Sequence, residues 1–424
     1  MTKKLLQIIV VLVVILGVAF IISSLLPEKV GPGIVKHIID DTKKGTMHNT
    51  EEGKTSSDIY YDPDLDTYFS QKNKPHISGD ESGPNVKLLE KMEFSPEPKS
   101  LLKRAISFCV AEDEVFIIPD YESKNIKAYE KKGNFLILTK TIGEEGYGTG
   151  EFQKPAYCFY NTKEKKFGVM DFGTRKISIY KIKGKIEFEL IREIYCHKMG
   201  TDSQLKKNKL LISGYMPTPQ KETYDLYYID LTNNQNTFLL PSYYKYGLNS
   251  FNEYVTQYRR KPDIKAIGIS SWLDIYRDDV YFVWEGYLRI FKINISSGEW
   301  TSFGEKTSSY VKPFASRRLL EGYSEPNQNV TRSEKTKMSF VRDIFVNHKY
   351  VMVIYEGPIK QDSRANFRLQ FYTLDGDFIK EVPISGQPDR RMWFDKDRHI
   401  LYSLSSKSDT YGEHYFILKY KIHE

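Results

Sequence analysis

Eight cationic side chains stand just upstream of short, apolar, strand-like segments: Lys103 and Arg104, Lys154, Lys198, Lys265, Lys337, and Arg390 with Arg391. Gathered at one place, such cations would focus a positive field and draw in anionic partners. Trp272 and Trp393, close to two of these segments, would add stacking surface. Lys and Arg supply 62 of the 424 residues, so the pattern acquires meaning only if the fold brings its members together.

Other chemistry is weaker. Gly143, Gly146, Gly148 and Gly150 crowd one loop, but a phosphate cradle opens a helix whose N-terminus faces the anion, whereas this loop leads into a strand. An inter-strand turn is the better reading. Asp62, Asp64 and Asp66 begin like a calcium loop, but the required sixth-position Gly and twelfth-position Glu are Thr67 and Asn73. Asp120 and Asp171 end equivalent strand-like runs, which points to turn hydrogen bonding more than to one catalytic acid. No H-E-x-x-H, C-x-x-C, phosphate-loop or G-x-S-x-G pattern occurs, and the eight His are scattered. Catalysis therefore has no residue to rest on, and no cofactor is expected.

The elements that must position these groups are strands. Tyr and Phe dominate the aromatics, 31 and 24 residues, and both favour pleated, half-buried surfaces. From residue 86 onward short β-rich runs recur between turn residues, as in an internally repeated chain. Ala105–Gly143 and Ala156–Ile194 align over their whole length, each with an apolar strand, a second strand ending in Asp120 or Asp171, a third ending at Tyr129 or Tyr180, and a fourth. Weaker copies follow at 209–240, 269–303, 340–384 and 391–422. The last copy lacks a fourth strand, and Val86–Phe94 is its natural donor. The expectation is an all-β, six-bladed β-propeller of four-stranded antiparallel blades, closed by an N-terminal strand.

The stretch Thr141–Tyr180, with its G-x-G-x-F-x-x-P run and Asp-ended second strand, resembles the NHL repeat. Ala105–Glu145 matches less fully, so the chain as a whole resembles NHL-like or TolB-like six-bladed propellers. That resemblance implies a channel whose mouth is lined by the residues preceding each innermost strand, the places the eight cations occupy. Some six-bladed propellers are calcium-dependent lactonases. A hydrolase, lactonase or lyase with calcium in the channel is accordingly the alternative function. Basic NHL faces are associated with RNA in cytoplasmic relatives.

Leu5–Leu26 is an uncharged run of 22 residues, long enough to cross about 30 Å of hydrocarbon as one transmembrane helix. It is too long for a signal-peptide core and lacks a good cleavage site, so it reads as a signal anchor, with a cleaved signal as the competing reading. Lys3 and Lys4, in the stub 1–4, place the N-terminus in the cytoplasm and the rest of the chain outside, in a periplasm or on the cell surface. Nucleic acid is then not an expected partner. Residues 27–85 carry 11 acidic and 7 basic groups and few clustered apolar residues, the composition of a flexible polar stalk. With a net charge of +7 overall, the 86–424 propeller is left with +9. Cys109, Cys158 and Cys196 cannot all pair internally and read as buried inert thiols. The expected function is that of a membrane-anchored scaffold or binding module, presenting one face to a protein, glycan or other anionic ligand.

Overall fold

The computed structural model describes residues 59–61, 83–98, 101–196, 200–217, 223–241, 270–285, 287–304, 307, 309–311, 315–316, 339–358, 366–386, 388, 392–409 and 412–423. The apolar run 5–26 and most of the stalk lie outside them. Among the described residues no helix is long and apolar enough to cross a membrane. The chain divides into two units at residues 46 and 47, and all the described residues belong to the second.

Strand β1 (Ile59–Tyr61) is followed by β2 (Asn85–Phe94). A first sheet is built from β3 (Cys109–Ala111), β4 (Val115–Asp120), β5 (Asn125–Lys132) and β6 (Phe135–Ile142). A second holds β7 (Pro155–Asn161), β8 (Lys166–Asp171), β9 (Lys176–Ile182) and β10 (Phe188–Tyr195). The third contains β11 (Asp202–Lys206), β12 (Lys209–Pro217), β13 (Thr223–Asp230) and β14 (Gln235–Pro241). The fourth contains β15 (Ser271–Tyr276), β16 (Asp279–Trp284), β17 (Tyr287–Asn294) and β18 (Trp300–Phe303). After β19 (Ala315–Ser316) comes a fifth sheet of β20 (Phe340–Val346), β21 (Tyr350–Gly357), β22 (Asn366–Thr373) and β23 (Phe378–Pro383). The chain then forms β24 (Met392–Asp395), β25 (Ile400–Asp409) and β26 (Gly412–His423).

Each sheet is an antiparallel meander, because its turns are too short for a crossover. β2 pairs antiparallel with β26, from Asn85 opposite His423 to Glu93 opposite Phe416, so a strand from far upstream completes the last sheet. At its far end β2 also runs parallel to β6 for two residue pairs, Glu93 with Phe135 and Phe94 with Leu136. This short contact joins the first and last sheets into one eight-stranded assembly. The third sheet differs from the sequence expectation, which began it at Lys209. Its first strand, β11, is short and polar at four of its five positions (Asp-Ser-Gln-Leu-Lys), so periodicity did not reveal it.

First strands of successive sheets lie against one another: β24 with β3, β3 with β7, β7 with β11, β11 with β15, and β15 with β20. Phe345 on β20 meets Phe394 on β24 at 5.8 Å between ring centroids. The buried apolar side chains form separate clusters between consecutive sheets, such as Phe159 and Met170 against Leu210 and Ile212, or Phe116 and Tyr129 against Tyr402 and Ile417. Among the described residues the core is thus divided into six clusters and is not one central mass. Burial of these faces, at about 25 cal/mol per Å² of apolar surface, holds sheet to sheet. The three cysteines are buried thiols in these seams, and burial pushes the Cys196 thiol up to about 12.

Turn chemistry also departs from expectation. Gly376, in the turn between β22 and β23, has φ 94°, and a Cβ there would meet the Phe303 ring at 2.6 Å. At many other turns, however, cations occupy the left-handed region: Lys124, Lys165, Arg175, Lys207 and Arg277 all have φ between 51° and 57°. Each accepts a local penalty of about 1 kcal/mol, and the Lys124 and Lys165 ammonium groups pair with Glu145 and Glu112.

Candidate functional site

In a four-stranded meander, the segment entering the first strand and the turn between the second and third strands share one end of the sheet. This crossover end carries the described members of the cationic set. Lys103 and Arg104 lead toward β3, and Lys154 leads into β7. All three are exposed.

Asp120 and Asp171, the last residues of β4 and β8, hold those segments in place. Both are fully buried. Asp120 accepts from the backbone N–H groups of Lys103 at 3.1 Å and Arg104 at 3.0 Å. It also takes the Ser123 N–H at 3.3 Å and the Lys127 ammonium at 2.8 Å. Asp171 accepts from Lys154 and Gln153 N–H, each at 2.7 Å, and from Gly173 N–H at 2.8 Å. Lys103 and Lys154 are repeat-equivalent, each 17 residues before its Asp. The place of Arg104 is taken by Pro155, which has no N–H, so the Gln153 amide donates instead. The repeat-equivalent Asp pair thus acts in turn hydrogen bonding, as expected. Burial pushes the Asp120 carboxyl up, but the Lys127 ammonium and the converging N–H donors outweigh it and hold the group below its ordinary value.

The Arg104 guanidinium lies 5.0 Å from the centre of the Tyr121 ring and 3.9 Å from a Glu122 oxygen. The Lys103 and Lys154 ammonium groups make no ion pair among the described residues. Lys198, Lys265, Lys337, Arg390 and Arg391 lie outside the described residues. The glycine loop has a structural role: Gly143 has φ 71°, a Cβ on it would strike the Gly150 carbonyl and the Phe152 ring, and the loop leads into β7, a strand.

The two tryptophans sit in different surroundings. Trp272 is buried, donates its indole N–H to the Val341 carbonyl at 3.1 Å, and packs between the fourth and fifth sheets. Trp393 is half-buried, with its ring 6.3 Å from that of Tyr160 on β7.

Sequence reasoning missed the acids on first strands. Asp202, Asp274 and Asp343 are buried on β11, β15 and β20. Asp202 accepts the Leu273 N–H at 3.1 Å, and Asp274 accepts the Val346 N–H at 2.7 Å, so each ties its strand to the next sheet. Lys396, in the turn after β24, reaches Asp274 at 2.6 Å and the Ile275 carbonyl at 2.9 Å. The signal was an Asp-Ile pair inside a mostly apolar strand, present at Asp274-Ile275 and Asp343-Ile344. Among the described residues no three His, Cys, Asp or Glu side chains come together as metal ligands.

A second missed group surrounds Glu381 on β23. Its carboxylate accepts from Ser309 (2.5 Å), Thr307 (2.6 Å), Tyr355 (2.7 Å), Arg368 (2.9 Å) and Gln370 (2.9 Å). Burial raises this carboxyl, but the hydroxyl and amide donors prevail and lower it. A lowered folded-state value means the contribution to stability is fully present above the unfolded value of about 4.3 and is lost as pH falls through the folded one. Acid titration of Glu381→Gln should therefore show a smaller loss of stability below about pH 4.5 than the parent chain. Equal acid slopes in urea unfolding would remove Glu381 from the account.

No protein-family description matches the sequence, and no curated protein matches it. Similarity appears in three dimensions. A member of the DUF4221 family from Bacteroides vulgatus superposes with a TM-score of 0.56 at 11% identity, over 80% of this chain and 99% of that one. A Bacteroides fragilis protein whose name marks it as a candidate exported protein gives 0.52 at 12% identity, over 80% and 96%. At such identities the likeness speaks to fold alone, and that fold is the β-propeller.

Proposed function

We propose that this chain is a membrane-anchored, extracytoplasmic, six-bladed propeller of NHL-like or TolB-like type that binds an anionic partner at its crossover end. Six blades are supported by four separate four-stranded sheets and an eight-stranded one that divides at the two-pair β2–β6 contact. The adjacency of successive first strands supports ring closure. The anchor rests on the uncharged run 5–26. The observation that carries binding is the fixing of exposed Lys103, Arg104 and Lys154 by equivalent buried carboxylates on two neighbouring sheets. A segment whose backbone is already ordered loses less entropy on meeting its ligand.

Heparin serves as a polyanionic probe. The triple variant K103E/R104E/K154E should bind it on the order of tenfold more weakly at 0.1 M salt, while Lys165→Glu, at the opposite end, changes little. Equal losses in both variants would reduce the effect to net charge, and no loss in either would sink the reading.

A further inference from the structure

Among the described residues, seven large apolar side chains are exposed, and they fall into two groups. Leu89, Phe135, Ile191 and Tyr195 lie on fourth strands, where a propeller meets solvent. The other three, Leu101 (49% exposed), Tyr147 (74%) and Val311 (38%), all sit in segments that carry the chain from a fourth strand to the next first strand. They occur at three different crossovers and so share the end that bears Lys103, Arg104 and Lys154. Leu101 is two residues from Lys103, and Tyr147 is in the loop that Lys154 closes.

The N-terminal chain also meets the fold here. β1 pairs antiparallel with β19, Ile59 opposite Ser316 and Tyr61 opposite Ala315. β19 begins four residues after Val311, a reach of at most about 14 Å. Val311 is itself fixed beside the start of β20 by the Ser339 N–H at 2.7 Å from its carbonyl and the Ser339 hydroxyl at 2.9 Å from its amide. Upstream of β1 lies the apolar run 5–26.

Apolar tips interleaved with lysine and arginine are what an interfacial surface requires: the tips enter the headgroup boundary and the cations meet lipid phosphates. From this juxtaposition we infer that the crossover end docks on an anionic lipid surface, through Leu101, Tyr147 and Val311 with Lys103, Arg104 and Lys154. The inference rests on the basic end proposed above and names its partner. A protein partner would satisfy the same apolar tips. The lipid surface is favoured because the tips are separate, because Lys103, Arg104 and Lys154 stand at the same end, although Glu144, Glu145 and Glu151 share the Tyr147 loop, and because β1 brings the chain that follows the apolar run to this end.

The test uses the full chain in liposomes, with an environment-sensitive fluorophore on Tyr147→Cys or, at the opposite end, on Ser297→Cys. Cys109, Cys158 and Cys196 are buried and should remain unlabelled in the folded protein. In phosphatidylglycerol vesicles carrying brominated acyl chains, the label at 147 should be quenched at least about twofold more than the label at 297. The difference should vanish in phosphatidylcholine, in high salt, and in K103E/R104E/K154E. Equal quenching at both positions overturns the inference, as does quenching at 147 that ignores lipid charge. If heparin binding depends on the three cations while the label at 147 stays in water, the anion site stands and the lipid assignment falls. Loss of both would remove the anion site as well.

Discussion

Deleting Asn85–Phe94 from the full chain, handled in detergent, should abolish the folded monomer. These ten residues are the fourth strand of the last sheet, supplied from upstream of the first. Without them β26 loses a partner along eight residue pairs and presents a long open edge. Such an edge recruits other chains. Met92, which is fully buried, leaves the cluster between the last and first sheets, and Val86 and Leu88 leave the cluster against the fifth. Met92→Ala alone should cost about 2–5 kcal/mol, so removing the whole strand exceeds the 5–15 kcal/mol that a domain typically has. The measurement is size-exclusion chromatography with urea unfolding. A synthetic peptide of residues 83–98, added during refolding, should restore the monomer by occupying the vacant edge. A deleted chain that folds as a stable monomer without the peptide would show that β2 is dispensable.

Asp120→Ala carries the next largest expected effect, about 3–5 kcal/mol by urea unfolding. The substitution removes the acceptor for three backbone N–H groups and strands the Lys127 ammonium, which is itself buried. A buried charge left without its partner is more damaging than a missing pair. D120A/K127M should therefore recover a substantial part of the loss, whereas D120A combined with a surface change should recover none. Asp171→Ala should be milder, because that carboxylate serves backbone donors and the nearby buried lysine, Lys176, pairs with Glu193 at 2.8 Å instead. If the two single variants lose the same stability, the ammonium is not the deciding term. The same D120A chain tests positioning: loosening the Lys103–Arg104 segment should weaken heparin binding even though no surface charge has changed.

Much of this architecture was legible before any coordinates. The fourth and fifth sheets follow the expected strand runs within a residue or two, because their strands alternate or run apolar between recognisable turns. The donated strand was legible too, since an unpaired upstream run and a missing downstream strand imply one another. β11 was hidden by its polar composition, and the left-handed cations at turns were hidden because Lys and Arg carry no turn signature. Trp272 looked like a ligand face because sequence reports a ring's presence and not which carbonyl its N–H has found.

By itself, the sequence determined the all-β repeat, the equivalence of Asp120 and Asp171, the uncharged N-terminal run and the recurrence of cations before first strands. These are matters of period and spacing, which local chemistry imposes on any strand-forming chain. Tertiary structure decided the rest: that both carboxylates reach back 17 residues to hold the cationic segments, that Lys396 crosses to Asp274, and that five donors from three elements converge on Glu381. It also gathered the exposed apolar tips at one end. These partners lie on different strands or loops, from 11 to 122 residues apart, and meet only once strands have paired and sheets have packed, so no local pattern encodes them.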